Sequence, residues 1–233
     1  MIIMNSDDRE TLIIPESPQK RLLDSIDLSS QVQIFSALKR AYLLADATMH
    51  DDNSSAKWLS SGRGDFALES RIRQIAVECE LCRLIEKGKL PFDYAYKFND
   101  RKNYKYLIIN KKGEFHMTVN QCVNGNQPAK KVKYRESENT NFQTRLVLDN
   151  DDMIDEYEKK DEYFELNHGY RTVEPKFAYL GIPMMNSNKW AYRLNLVNNL
   201  DVLSAITQTT EVSGPKPITP DEFAAYQKRE SND

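Results

Sequence analysis

Cysteine and histidine are scarce in this chain, three of each, and they are where chemistry is sought first. Cys79 and Cys82 have the spacing of half a thiolate metal site, and Cys122 and His116 fall on one face of a predicted strand. Together they could hold zinc as a three-cysteine, one-histidine set. Their placement argues otherwise. Structural zinc pairs sit on turns, whereas Cys79 and Cys82 lie in mid-helix beside an apolar stripe, where a free cysteine behaves as a small hydrophobe. Neither a metal nor a cofactor is expected.

Carboxylates offer a second chemistry. A metal-dependent nuclease needs an acid followed by an acid-x-lysine pair at strand ends, with Glu69 as an assisting helical glutamate; Asp149-x-Asp151 and Glu165-x-Asn167 both lack the lysine. The acidic run from 149 to 162 has no glycine where a calcium loop turns sharply, so it reads as a solvated, partner-facing stretch. His168 and His116 have no serine or cysteine elbow to serve, and each reads as a polar strand residue. Ser61-Gly62-Arg63-Gly64-Asp65 runs into a helix start without a P-loop lysine, so Asp65 is expected to cap that helix.

Binding chemistry is better represented. Lys130, Lys131, Lys133 and Arg135 stand with Tyr134 and Phe142 in a polar stretch, a small basic patch with aromatics that suits phosphates and bases. Glu136 and Glu138 dilute it. A second group emerges from the run between 104 and 123. There, apolar residues alternate on either side of a lysine-glycine turn, which predicts a β-hairpin closed by Gly113 in the left-handed region. A loop of 111–113 pairs Ile109 with Phe115 and Leu107 with Met117. Leu107, Ile109, Phe115, Met117 and Val119 then face the core, because side chains alternate along a strand. Tyr104, Tyr106, His116, Thr118 and Asn120 share the other face as a pre-organised polar and aromatic cluster, either a second layer or a binding surface.

The elements that must position these groups follow from periodicity. Ser17-Pro18 marks a helix start, and Ser30-x-x-Gln33 is a capping box opening a helix with Phe35, Leu38, Tyr42 and Ala45 on its stripe. That helix is expected to stop before His50. A longer one is expected from Asp65 to Glu86, with Leu68, Ile72, Ile75, Ala76, Cys79 and Cys82 inward, Glu69 and Arg73 outward, and Gly88 and Pro91 as its stop. Further strands are expected at 144–148, 163–167, 177–182 and 190–196, and a short helix within 198–210. Residues 1–16 read as a loose arm, 17–210 as one domain, and 211–233 as a proline-bearing linker with a terminal helix. The fold class is α+β, with N-terminal helices packed on an antiparallel sheet that contains the 104–123 hairpin.

Bulk charge narrows the partners little. Lys and Arg number 32 against 35 Asp and Glu, a net charge of −3, so no global field advertises nucleic acid or membrane. The opening MIIMNSDDRETLII carries acids where a signal peptide needs bases, and no apolar run approaches bilayer length. A cytoplasmic protein with free thiols is the expectation.

Two segments, 104–121 and 174–190 with the core KFAYLGIP at 176–183, resemble a family of small proteins carried by phages and other mobile elements of Gram-positive bacteria. The resemblance implies a setting in which small proteins bind host proteins, inhibit defence systems or regulate replication. The resulting expectation is a non-enzymatic interaction protein that contacts a host or defence protein through an acidic and aromatic surface. The alternative is a nucleic-acid binder acting through the 130–135 stretch, or a divergent metal-dependent nuclease.

Overall fold

A computed structural model describes residues 16–51, 65–140, 161–169, 172–199 and 201–204. The expected arm, the strand at 144–148, nearly all of the acidic run and the terminal helix lie outside them.

Helix α1 spans Pro18–Ser25, with proline in its first turn and the Ser17 hydroxyl accepting from the Lys20 amide. Helix α2 spans Leu28–His50. Its cap is Asp27, whose Oδ1 accepts the Ser30 amide at 2.8 Å, so the helix opens before the expected capping box and runs through His50. An aspartate immediately before the apolar stripe satisfies an orphan amide as well as a serine does. Helix α3 is Asp65–Glu86, and Gly88 at φ +66 ends it. Its face is rotated from the expected one. Ile75 is 42% exposed, while Arg73 is 1% exposed and bonded to Glu69 at 2.5 Å. The i,i+4 pair exists, but its cation points inward.

Six strands form one sheet in the order of the chain: β1 Asp93–Phe98, β2 Lys105–Lys111, β3 Phe115–Gln121, β4 Glu162–His168, β5 Ala178–Pro183 and β6 Trp190–Asn195. Four of the five pairings are antiparallel; β3 and β4 run parallel. A parallel pair needs a crossover, and here the crossover carries helix α4, Lys133–Thr140, within the stretch expected to be loop. Strand β1 was not foreseen, although Tyr94, Tyr96 and Phe98 alternate in it.

The hairpin register differs from expectation by one pair. Lys111 faces Phe115, Ile109 faces Met117, and Gly113 at φ +78 closes the turn. A shift of two residues preserves each side chain's face, whereas a shift of one would have inverted both. Leu107, Ile109, Phe115, Met117 and Val119 therefore still enter the core, against Phe164, Leu166 and Leu180 of the neighbouring strands and the inward faces of α1, α2 and α3. The fold is thus α+β, with N-terminal helices on a mostly antiparallel sheet. Among the described residues no helix is long and apolar enough to cross a membrane.

Candidate binding site

The opposite face of the sheet is covered. Residues 122–132 and α4 lie over it, so Tyr106, His116, Thr118 and Asn120 are 7%, 8%, 1% and 3% exposed rather than presented on a surface. Tyr104 alone of that expected cluster stays partly open. Strand β4 adds Tyr163, Glu165 and Asn167 to the same layer, each beside its β3 counterpart in the parallel register.

Polar groups taken out of water must find partners, and here they form a chain. Thr118 Oγ1 lies 2.7 Å from Tyr163 Oη, which donates to Glu165 Oε1 at 3.2 Å. Glu165 Oε2 accepts from the Ala129 amide at 2.8 Å and from Asn167 Nδ2 at 2.9 Å. Asn120 Nδ2 donates to both Thr118 Oγ1 and Asn167 Oδ1, and its own Oδ1 receives Arg135 Nε at 2.9 Å. Burial pushes the Glu165 carboxyl above the usual carboxylate range, against the pull of those donors.

Helix α4 is fastened at both ends. Near its start, Tyr134 stacks on Tyr106 at 4.1 Å between centroids, and Arg135 Nη1 reaches the Lys130 carbonyl at 2.6 Å. Near its end, Glu138 takes Lys97 at 3.1 Å and the Tyr106 hydroxyl at 3.3 Å, while His116 Nε2 approaches the Glu138 carbonyl oxygen at 3.1 Å. Burial lowers the His116 pKa, opposed by the Glu138 charge. His116 is thus a partner of the covering helix.

Two clefts flank α4 and share Arg135. One, of about 310 Å³, includes Lys131, Arg135, Asn139, Tyr163, Glu165 and Met184 in its wall. The other, of about 360 Å³, lies between α3 and α4 and is lined by Ser70, Arg71, Gln74, Tyr104, Gln121 and Arg135, with Val119 and Asn120. Arg71 sits over the Tyr104 ring at 5.6 Å, and Arg135 over Tyr134 at 5.0 Å. Lys130, Lys131 and Lys133 are exposed around the start of α4.

Of the residues singled out from the sequence, Tyr104 and Arg135 therefore meet at one opening, while Lys131 lines the other cleft. Arg71, Gln74 and Gln121 were missed. Arg71 and Gln74 are three apart on α3, the spacing of one helix face, but only tertiary packing sets them beside the end of β3. The acidic run contributes Glu162 to the described structure, and it is buried and paired with Arg21 at 2.7 Å. Among the described residues no group of three or more His, Cys, Asp and Glu could hold a metal, and Cys79, Cys82 and Cys122 form no disulfide.

Comparison with protein-family models, with curated proteins and with solved structures returns no match.

Proposed function

We propose that the protein binds single-stranded nucleic acid across the cleft between α3 and α4. The observation that supports this reading most is the gathering of two guanidiniums and an aromatic ring around one opening of about 360 Å³: Arg71, lying over the Tyr104 ring, and Arg135. Guanidiniums hold phosphates, and a tyrosine face stacks any base, which is the combination that strand binding demands. Arg135 is already oriented by Asn120 and the Lys130 carbonyl, so little of its freedom remains to be lost on binding. Exposed Lys130, Lys131 and Lys133 add positive charge around the start of α4, Lys131 in the wall of the neighbouring cleft. A local patch of this kind operates despite the chain's net charge of −3, because screening confines each field to about 8–10 Å.

The test is fluorescence anisotropy with a short labelled oligodeoxynucleotide across a salt series. Affinity should fall steeply with salt, and Arg71→Glu should weaken binding about ten-fold and flatten the salt slope by about one. Absence of binding at low salt removes the reading. Competition by polyglutamate equal to competition by unlabelled strand overturns it in favour of an acidic protein partner.

A further inference from the structure

Behind the floor of that cleft, the structure leaves polar atoms unanswered. Among the described residues, five buried side-chain nitrogen or oxygen atoms of Arg73, Gln74, Gln121 and His168 lack a hydrogen-bond partner. Native interiors rarely concentrate such atoms in one place, since each costs about 1–3 kcal/mol unless something meets it.

These residues lie on one ring of contacts. Ser70 donates to Gln121 Oε1 at 2.7 Å; Gln121 is the parallel-register neighbour of His168; His168 Nδ1 lies 2.8 Å from Tyr42 Oη. Arg73 closes the ring, its guanidinium 5.1 Å from the Tyr42 ring and three residues beyond Ser70 on α3. Gln74 follows Arg73 and is tied down through its Nε2 to Glu78 at 2.7 Å and to the Val119 carbonyl at 3.1 Å. The unmet atoms are of both kinds. Arg73 Nε, Arg73 Nη1 and Gln121 Nε2 are donors. Gln74 Oε1 is an acceptor, and so is His168 Nε2: the histidine's Nδ1 lies 3.2 Å from the Gly169 carbonyl, which can only accept, so the proton sits on Nδ1.

That mixture selects the ligand. A phosphate presents acceptors and would leave Gln74 Oε1 and His168 Nε2 unmet; an ammonium presents donors and would leave Arg73 unmet. A nucleobase edge carries donor and acceptor side by side. Ser70, Gln74 and Gln121 also line the cleft, so the ring and the strand path share a wall. Gln121 and His168 are moreover the last residues of the one parallel strand pair, and ligands of open sheets favour the carboxyl ends of parallel strands.

We propose that this ring is a base-reading subsite: a nucleobase stacks on Tyr104 and, as the Gln121 amide turns from Ser70, directs its edge toward Arg73 and His168. The proposal rests on the strand-binding reading and adds base recognition to it.

The experiment compares labelled dA, dC and dT strands with an abasic strand of equal length at one salt concentration. The native protein should bind the best base-bearing strand about ten-fold more tightly than the abasic one. Gln121→Leu should lower that ratio to the part that stacking on Tyr104 supplies while leaving the salt slope unchanged, and Gln74→Met should lower it in the same direction. Circular dichroism confirms that each variant is folded, and the native ratio alone decides if one is not. Equal affinity for abasic and base-bearing strands means that the ring holds water only and overturns the subsite. A base preference undiminished in both variants overturns it as well. Failure to bind any strand is the separate result that removes the underlying reading.

Discussion

Arg135 Nε donates to Asn120 Oδ1 across 2.9 Å, and through this contact the covering helix is joined to the polar layer of the sheet. The same guanidinium holds the Lys130 carbonyl, lies over Tyr134 and walls both clefts. Structural and ligand-facing roles therefore converge on one side chain.

Arg135→Met, which keeps the stem and removes the donors, should destabilise the fold by about 1.5–3 kcal/mol, because Asn120 Oδ1 and the Lys130 carbonyl lose a charged donor. Urea unfolding measures it. Strand affinity should fall further than in Arg71→Glu, since orientation is lost along with charge. An unchanged midpoint would show that α4 is held by Glu138 and Tyr134 alone.

His168 is buried and its pKa is lowered to about 4, chiefly by desolvation. The unfolded chain binds that proton near pH 6.5, so the contribution of this residue is fully present above that value. It diminishes as pH falls from about 6.5 to about 4, by about 3 kcal/mol in total. Glu162 and Glu165 have raised pKa values, again through burial, and act in the opposite sense: the stability they add at low pH is lost as pH rises through their folded-state values. Comparing native protein with His168→Asn isolates the histidine. The variant should lose less stability than the native chain between pH 7 and pH 4; parallel curves would contradict the assignment.

A Cβ at Gly181 would meet the Tyr192 carbonyl oxygen at 2.7 Å and the Trp190 ring at 2.8 Å. Backbone cannot yield as a flexible side chain does, so Gly181→Ala should cost about 1–3 kcal/mol through overpacking. At Gly113 nothing lies within 4 Å, and the penalty of Gly113→Ala comes from its φ of +78 instead. Thermal unfolding of the two variants, compared with a third at exposed Lys112, separates crowding from backbone strain.

Burial raises the thiol pKa of Cys122 to about 12 and that of Cys82 further still. Since the thiolate is the reacting species, neither should be modified by iodoacetamide at pH 8 in the folded protein, and both should react once urea unfolds it. Mass spectrometry counts the adducts. Rapid labelling of Cys82 in native buffer would refute its placement in the core.

The hairpin and its core face were legible because period-two alternation survives a register error of two residues. Strands β4, β5 and β6 were legible for the same reason. The covering of the second face was not, since half-polar alternation is identical whether water or a helix lies above it. Arg73 misled in a similar way: an i,i+4 partner at Glu69 usually marks a solvated face, and nothing local reveals that the guanidinium lies against the Tyr42 ring inside. The cleft itself depends on α3 meeting the end of β3, a contact between residues about fifty apart in sequence, exemplified by Ser70 and Gln121. Composition and spacing do not encode such a meeting; packing does.

The single parallel joint between β3 and β4 also orders events in folding. On one side, β1 to β3 are linked by short turns; on the other, β4 to β6 are linked just as locally, while the joint must wait for the ends of a long crossover to meet. Parallel pairing across such a separation is slow relative to local hairpin formation, because the closure entropy is lost before non-local contacts repay it. The chain is thereby divided into two meanders that zip early and a seam that closes late, and a polypeptide cut within 141–160 should reassemble from its two halves along that seam.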